Sequence, residues 1–326
     1  MTNKIRVGII GYGNLGRGAE AAIKQQTDME LVAVFSRRGV VQTIDQNVTS
    51  LHIDEVQNYK NKIDVMILCG GSKSDLPEQT PYFATMFNTV DSFDTHAKIP
   101  EYYESVDAAA RQGENISVIS VGWDPGLFSI NRVMSEAVLI DGNTYTFWGK
   151  GLSQGHSDAV RRVEGVKGGV QYTIPSEEAI TRVREGENPD LSTSEKHRRE
   201  CFVVLEDGAD ADEVEQTIKQ MPDYFVDYET TVHFITDEEL QKNHNAMPHG
   251  GFVIRSGTTG EGNDQIVEFS LKLNSNPEFT ASVLVAYARA AYRLYQEGQI
   301  GAKTVYDIGP GYIHPDSAAG LRKKYL

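Results

Sequence analysis

Cysteine is scarce in this chain. Cys69 and Cys201 are the only two in 326 residues, far apart and on different expected strands, so neither a disulfide framework nor a thiolate metal cluster is indicated. Both read as packed, reduced thiols, and no metal is expected. Positive charge is also short. Against 46 Asp and Glu there are 31 Lys and Arg, a net charge of −15, which argues against a nucleic-acid partner, whose binding is driven by clustered cations releasing counterions. No apolar stretch is long enough to span a bilayer, and Met1 to Arg6 lead straight into a strand without a leader pattern, so the expected location is the cytoplasm. Internal repeats and low-complexity segments are missing too.

The composition that remains, 40% hydrophobic and 24% charged, is that of a soluble globular protein with length for two domains. Short apolar runs alternate with helical patterns over the first third: Ile5 to Ile10, Leu15 to Gln26, Leu31 to Phe35, Asp64 to Cys69 and Thr89 to Ser92. A helix over 100–112 and a strand over 116–121 close the series. This rhythm predicts βαβ units on a parallel sheet, a Rossmann domain over 1–120. Strand-like runs at Thr144 to Trp148, Val170 to Ile174, Cys201 to Leu205 and Thr230 to Ile235 predict a second, mixed α+β domain over 121–275. The acidic run Asp207 to Glu215 opens a helix reaching about Met221, where carboxylates suit the positive end, and it lacks the spacing of a calcium loop. The long apolar helix 279–297 is expected to pack back on the Rossmann domain, and 298–326 form a C-terminal segment.

Gly11-Tyr12-Gly13-Asn14-Leu15-Gly16 lies between the first strand and the first helix. There Gly11 suits a tight turn, Gly13 a close backbone approach to a pyrophosphate, and Gly16 close helix-to-strand packing, with the anion at the helix N-terminus. At the end of the second strand, where an NAD enzyme carries an acid for the ribose hydroxyl, stand Ser36, Arg37 and Arg38. Two guanidiniums and a hydroxyl suit the 2′-phosphate of NADP, although a solvated basic pair is the plain alternative. Open α/β sheets bind ligands at the carboxyl ends of their strands, which adds Cys69, Gly70, Gly71 and Ser72 and then Phe93 and Asp94 to the expected cofactor site, with an ordinary strand-to-helix turn as the plain alternative for the first of these loops.

Gly151-Leu152-Ser153-Gln154-Gly155 matches the GxSxG nucleophile elbow, and a serine hydrolase could draw on His233, His244 or His249. That reading leaves the dinucleotide turn without a role. Glycines at a helix start also expose backbone N–H groups able to hold a carboxylate without an activated serine. A cysteine-dependent semialdehyde dehydrogenase does not fit, because Cys69 ends a Rossmann strand.

Further along come Trp123-Asp124-Pro125-Gly126, Trp148, Gln154-Gly155-His156-Ser157-Asp158, Met247-Pro248-His249-Gly250-Gly251 and the stretch around Asn276. With the glycine turn and Ser36-Arg37-Arg38, these segments resemble the meso-diaminopimelate dehydrogenase family in order and spacing over nearly the whole length. The resemblance implies NADP-dependent oxidative deamination at the D-centre of meso-2,6-diaminopimelate, giving L-2-amino-6-oxopimelate and ammonia, in lysine and cell-wall precursor supply. It also implies a homodimer, with the second domain serving substrate binding and dimerisation. By resemblance Asp94 and Asp124 receive the reacting amine and include its base, Gln154 and Gly155 take the near carboxylate, and Thr173, Arg199 and His249 hold the distal carboxylate. Asn276 takes the distal amine, and Trp123 and Trp148 wall the pocket. Residue by residue, the plain alternatives are core packing for the tryptophans, a structural role for His249, and a solvated run Lys196-His197-Arg198-Arg199. Another NADP-dependent amino-acid or imine oxidoreductase is the alternative activity.

Overall fold

The structure, a computed structural model, describes residues 4–222 and 224–326. It divides into two units, Met1–Ile130 with Pro277–Leu326, and Asn131–Asn276. The first unit runs past the boundary expected near residue 120, because the turn at Trp123–Gly126 stays with it.

The chain begins with β1 (Ile5–Ile10), α1 (Asn14–Lys24), β2 (Met29–Ser36), β3 (Thr49–His52), β4 (Val65–Leu68), α2 (Leu76–Ala84), β5 (Asn88–Asp91), α3 (Ile99–Gln112), β6 (Ile116–Val118) and α4 (Leu127–Val138). The second unit holds β7 (Asp141–Trp148), β8 (Gly151–Leu152), α5 (Gln154–Arg161), β9 (Val166–Pro175), α6 (Glu177–Arg184), α7 (Thr193–Lys196), β10 (His197–Leu205), α8 (Ala211–Lys219), β11 (Thr230–Phe234), α9 (Asp237–Asn243), β12 (His249–Thr259) and β13 (Asn263–Leu273). The chain ends with α10 (Asn276–Gln296), β14 (Gly301–Lys303), α11 (Pro310–Ile313) and α12 (Ala318–Tyr325).

In the first unit the strands form one parallel sheet in the order β14-β6-β5-β4-β1-β2-β3. The central strands β1 and β4 are buried on both faces, which is why they read as nearly continuous apolar runs. Successive residues supply opposite cores. Ile5, Val7 and Ile9 pack with α1 and with Leu284, Tyr287 and Leu294 of α10, while Ile10, Met66 and Leu68 pack with Leu76, Phe83 and Val106 of α2 and α3. Each such side chain contributes about 1.5–3 kcal/mol on burial. Gly18 lets α1 meet α10 closely, since a Cβ there would lie 3.0 Å from that of Ala281. Arg289 of α10 is buried and donates to Asp28 at 2.6 Å and to Gln26 and the Ile313 carbonyl at 2.8 Å. Strand order reverses between β1 and β4, and the crevice at such a reversal is where open sheets of this type take ligands.

The second unit holds two sheets. One has the order β11-β10-β9-β8, with β10 and β11 parallel and the other pairs antiparallel. The other is an antiparallel sheet, β13-β12-β7, so Thr144 to Trp148 pair with Arg255 to Gly251 of β12. The long hairpin β12–β13 escaped the sequence reading because β13 is exposed on both faces over 263–268, which removes the alternation that marks a half-buried strand. The acidic run does structural work in part: Asp210 caps α8 by accepting from the N–H groups of Asp212 at 2.9 Å and Glu213 at 3.3 Å.

Candidate active site

The glycine turn occupies the end of β1 at the reversal point. Gly11 has φ +88°, and a Cβ on it would press within 3.0 Å of the Cys69 carbonyl at the end of β4. A Cβ on Gly16 would run into the Gly11 carbonyl, so α1 can start this close to the strand only without a side chain there. Gly13, the N-cap of α1, has nothing within 4 Å of where its Cβ would be, and the first turn of α1 carries no acid. An open backbone before a helix N-terminus clear of negative charge fits a pyrophosphate.

Arg38 is brought to this turn, with Nη2 donating to the Tyr12 carbonyl at 2.7 Å. Ser36 is buried, and its Oγ accepts from the Arg38 backbone at 3.1 Å. Arg37 is two-thirds exposed and pairs with both oxygens of Asp75, at 3.0 and 3.1 Å. Asp75 also accepts from Gly71 N at 2.9 Å, so one carboxylate ties the loop after β4 to the guanidinium after β2. Behind them Tyr12 hydrogen-bonds buried Glu20, whose carboxylate accepts from the N–H groups of Ile44 and Asp45 at 3.1 and 2.7 Å. Burial, and then Glu20, push Tyr12 up to about 12.

Cys69 follows β4, and burial pushes its thiol up to about 12, the wrong direction for a nucleophile. Ser72 Oγ accepts from Asp94 N at 2.8 Å, joining the loops after β4 and β5. Phe93 turns its ring inward onto Tyr102, with centroids 4.0 Å apart, so what it offers a cofactor is backbone. Asp94 is exposed and Asp124 half-buried. Trp123 is buried, edge-on to Phe128, in a turn closed by a bridge from Trp123 to Gly126.

In the second unit, Arg199 on β10 lies directly opposite Thr173 on β9. The run of basic residues around it suggested a solvated face. The structure buries Arg199 to 6% exposure, with Nη1 donating to Thr173 Oγ1 and the guanidinium 3.8 Å above the Tyr228 ring. Among the described residues its Nε has no hydrogen-bond partner and no carboxylate pairs with it. Burial lowers its pKa. A dry guanidinium without an anion is costly, and the chemistry that repays it is a carboxylate.

His197, also buried, accepts from Trp148 N at 2.8 Å through Nε2 and stacks on the Trp148 ring at 5.2 Å. Burial, and then the charges of Arg199 and Lys196, pull His197 down to about 3, so it is a neutral acceptor. His249 heads β12 with its ring over Gly151, where a Cβ could not fit, and its Nδ1 accepts from Gly250 N at 2.9 Å. Gln154 Nε2 donates to Met247 Sδ at 3.4 Å, and Asn276 N donates to the Met247 carbonyl at 2.9 Å. Gly155, in the first turn of α5, has nothing within 4 Å of its Cβ position.

These contacts also account for the GxSxG string. Its first glycine admits the His249 ring and its second leaves the start of α5 open. Ser153 Oγ lies 2.8 Å from His156 Nδ1, not from any of the three histidines considered as its base. The His156 ring packs edge-on against Tyr224 and Phe225, neither an acid, and burial lowers it to about 4. A triad needs a carboxylate to orient and stabilise its imidazolium.

Sequence reasoning missed Asp75, Asp91, Gln171, His197 and Tyr228. Asp91 is fully buried, and its carboxylate accepts from the N–H groups of Phe93 and Ser120 and the hydroxyls of Tyr102 and Thr80 at 2.7–3.2 Å. Burial raises its pKa, while those four donors oppose the rise. An acid inside an apolar run was the available signal for Asp91. Nothing local marks Tyr228, which meets Arg199 through the pairing of β10 with β11.

A model of the diaminopimelic acid dehydrogenase C-terminal domain matches residues 122–275. The chain is 66% identical to the meso-diaminopimelate D-dehydrogenase of Ureibacillus thermosphaericus, over 99% of this chain and 100% of that one. Among solved structures it is similar to a meso-DAP dehydrogenase mutant with DAP from Clostridium tetani, at 56% identity and a TM-score of 0.95, covering 99% of this chain and 100% of that one. An engineered D-amino acid dehydrogenase bound to NADP+ is 45% identical with a TM-score of 0.89, covering 99% and 100%. Among the described residues no helix is long and apolar enough to cross a membrane.

Proposed function

This chain belongs to the meso-diaminopimelate D-dehydrogenase family, and from that premise we propose that it oxidises the D-centre of meso-2,6-diaminopimelate with NADP+. The products are L-2-amino-6-oxopimelate, ammonium and NADPH, with one water consumed and one proton released. The observation that carries this reading is Arg199: a buried guanidinium bonded to a hydroxyl and an aromatic face, with no anion of its own among the described residues, is half of a carboxylate site.

In the first unit, Gly11, Tyr12, Gly13, Asn14, Leu15 and Gly16 cradle the pyrophosphate. Ser36, Arg37 and Arg38 take the 2′-phosphate, with Asp75 holding the Arg37 fork in place. The loop of Cys69, Gly70, Gly71 and Ser72 and the Phe93–Asp94 backbone border the nicotinamide end. The nicotinamide, when bound, accepts the hydride. The protein neutralises the ammonium so that hydride can leave the α-carbon: Asp94 and Asp124 bind the reacting amine, and one of them removes its proton directly or through water.

In the second unit, Gln154 and the backbone of Gly155 hold the near carboxylate at the start of α5. Arg199, Thr173 and His249 hold the distal carboxylate and Asn276 the distal amine. Trp123 and Trp148 border the substrate and exclude water. Anchoring the L-end fixes which face of the D-carbon is presented, the positioning that makes hydride transfer stereospecific.

The partner is a second copy of the chain. β13 is an edge strand exposed on both faces over 263–268, and Val133, Met134 and Val138 of α4 with Ile140 expose further apolar surface, features that call for covering. Free cysteines and NADP chemistry suit a cytoplasmic setting in lysine and cell-wall precursor supply. The test is spectrophotometric assay with NADP+ against the meso, LL and DD stereoisomers. Coupled NADPH and ammonium release is expected with meso far ahead; equal rates on LL, or activity on a cyclic imine alone, would overturn the reading.

A further inference from the structure

Two donors meet at the Thr173 hydroxyl. Arg199 Nη1 donates to Oγ1 from β10, and Gln171 Nε2 donates from two residues back along β9 at 3.4 Å. A hydroxyl oxygen has two lone pairs and one proton. Both accepting positions are therefore filled from within the protein, and the proton must point elsewhere. Among the described residues it meets no acceptor.

Gln171 is fully buried, and its backbone is pinned on both sides. Its N–H donates to Ser157 Oγ at 2.9 Å, and its carbonyl accepts from Ser153 N at 3.1 Å. Among the described residues its buried Oε1 has no hydrogen-bond partner, like Arg199 Nε. Turning the amide over would let Thr173 donate to Oε1 but would leave both Nε2 protons unbonded, a larger loss than one orphaned carbonyl oxygen. A glutamine carried at such cost in a dry position where an apolar side chain would be cheaper is there for its donor.

We infer that Gln171 is a positioning residue that sets the polarity of the distal subsite. By filling the second lone pair of Thr173 it turns the hydroxyl proton outward, so Thr173 and Arg199 together present only donors. A subsite of donors accepts a carboxylate and rejects an ammonium, which orients the L-end of a substrate that carries both. The inference rests on the proposed assignment of Arg199 and Thr173 to the distal carboxylate.

The test is a mutant cycle on purified enzyme with meso-diaminopimelate and NADP+. Gln171→Leu keeps the volume and removes the donor. Its KM is expected to rise about fivefold, the worth of one neutral hydrogen bond, with kcat held within about twofold because the reacting carbon lies at the other end of the substrate. In a Thr173→Val background the same change is expected to add nothing, and in Thr173→Ser, which keeps the hydroxyl, it is expected to act in full. Gln171→Glu supplies an acceptor in place of the donor and is the second probe should the leucine variant not fold; it is expected to raise KM by more than about tenfold. Equal effects of Gln171→Leu with and without the Thr173 hydroxyl, a fall in kcat in place of the KM rise, or an unchanged KM would overturn the role of Gln171. If Thr173→Val and Arg199→Met themselves left KM untouched, the subsite assignment would fall, and Gln171 with it.

Discussion

Arg199 and Thr173 face each other across the antiparallel pair β10–β9, and the guanidinium donates to the hydroxyl from a position only 6% exposed. Cross-strand neighbours of this kind usually contribute packing. Here one partner is an ion set against a hydroxyl and the face of the Tyr228 ring.

The first prediction concerns that ion. Arg199→Met is expected to raise KM for meso-diaminopimelate by about a hundredfold, the scale of a charge-assisted contact to a carboxylate. Thermal stability should hold or rise, because a buried cation without an anion is replaced by an apolar side chain. A structural arginine would show the reverse, a lower melting temperature with KM preserved, and paired denaturation scans and kinetics separate the two.

A second prediction tests the cofactor. Replacing Arg37 and Arg38 together with alanine is expected to weaken NADPH by about a hundredfold or more while changing NADH by less than about threefold, since only the former has the phosphate for those charges. Fluorescence titration with both reduced nucleotides reads this out. Equal losses would mean that the pair acts on the fold, with Arg38 bracing the Tyr12 carbonyl.

The base is identified by single asparagine substitutions. Whichever of Asp94 and Asp124 removes the proton, its variant should lose about 10²–10⁴-fold in kcat and the acid limb of its pH profile. The other should change mainly KM. Two variants with the parent's rate and profile would leave neither as the base.

His197 yields a prediction on stability. Folded, it stays neutral down to about pH 3, while the same imidazole in the unfolded chain titrates at its ordinary 6.5. Acid therefore favours the unfolded chain. The effect is absent above about pH 7, grows as pH falls through 6.5 with a slope of up to about 1.4 kcal/mol per pH unit, and levels off near pH 3. His197→Gln keeps an acceptor for the Trp148 N–H but does not titrate, so chemical denaturation at pH 7 and pH 5 should show less acid loss in the variant. An identical loss in both proteins would exclude His197 as its source.

How much of this was legible in the sequence differs between the two units. The dinucleotide turn was legible because its requirements are local: Gly11, Gly13 and Gly16 serve a strand, a turn and a helix that are contiguous in the chain. The loops after β4 and β5 followed from the alternation of strands and helices. Arg199 was not legible on its own terms, since Lys196-His197-Arg198-Arg199 looks like a solvated face until strand register turns His197 and Arg199 inward and leaves Arg198 outside. Resemblance to a family, not local pattern, supplied the role proposed for it.

Chain order and apolar periodicity alone were enough to specify a parallel nucleotide-binding sheet, the glycine cradle at its first turn and two basic residues at the end of β2, because neighbours along the chain make those features. Burial of a guanidinium beside Thr173 and Tyr228, the division of the second unit into two sheets, and the Asp75 carboxylate holding Arg37 were decided by the folded arrangement. Each joins residues tens of positions apart, and hydrogen bonds and ring contacts act over only a few ångströms, a proximity that no local spacing encodes.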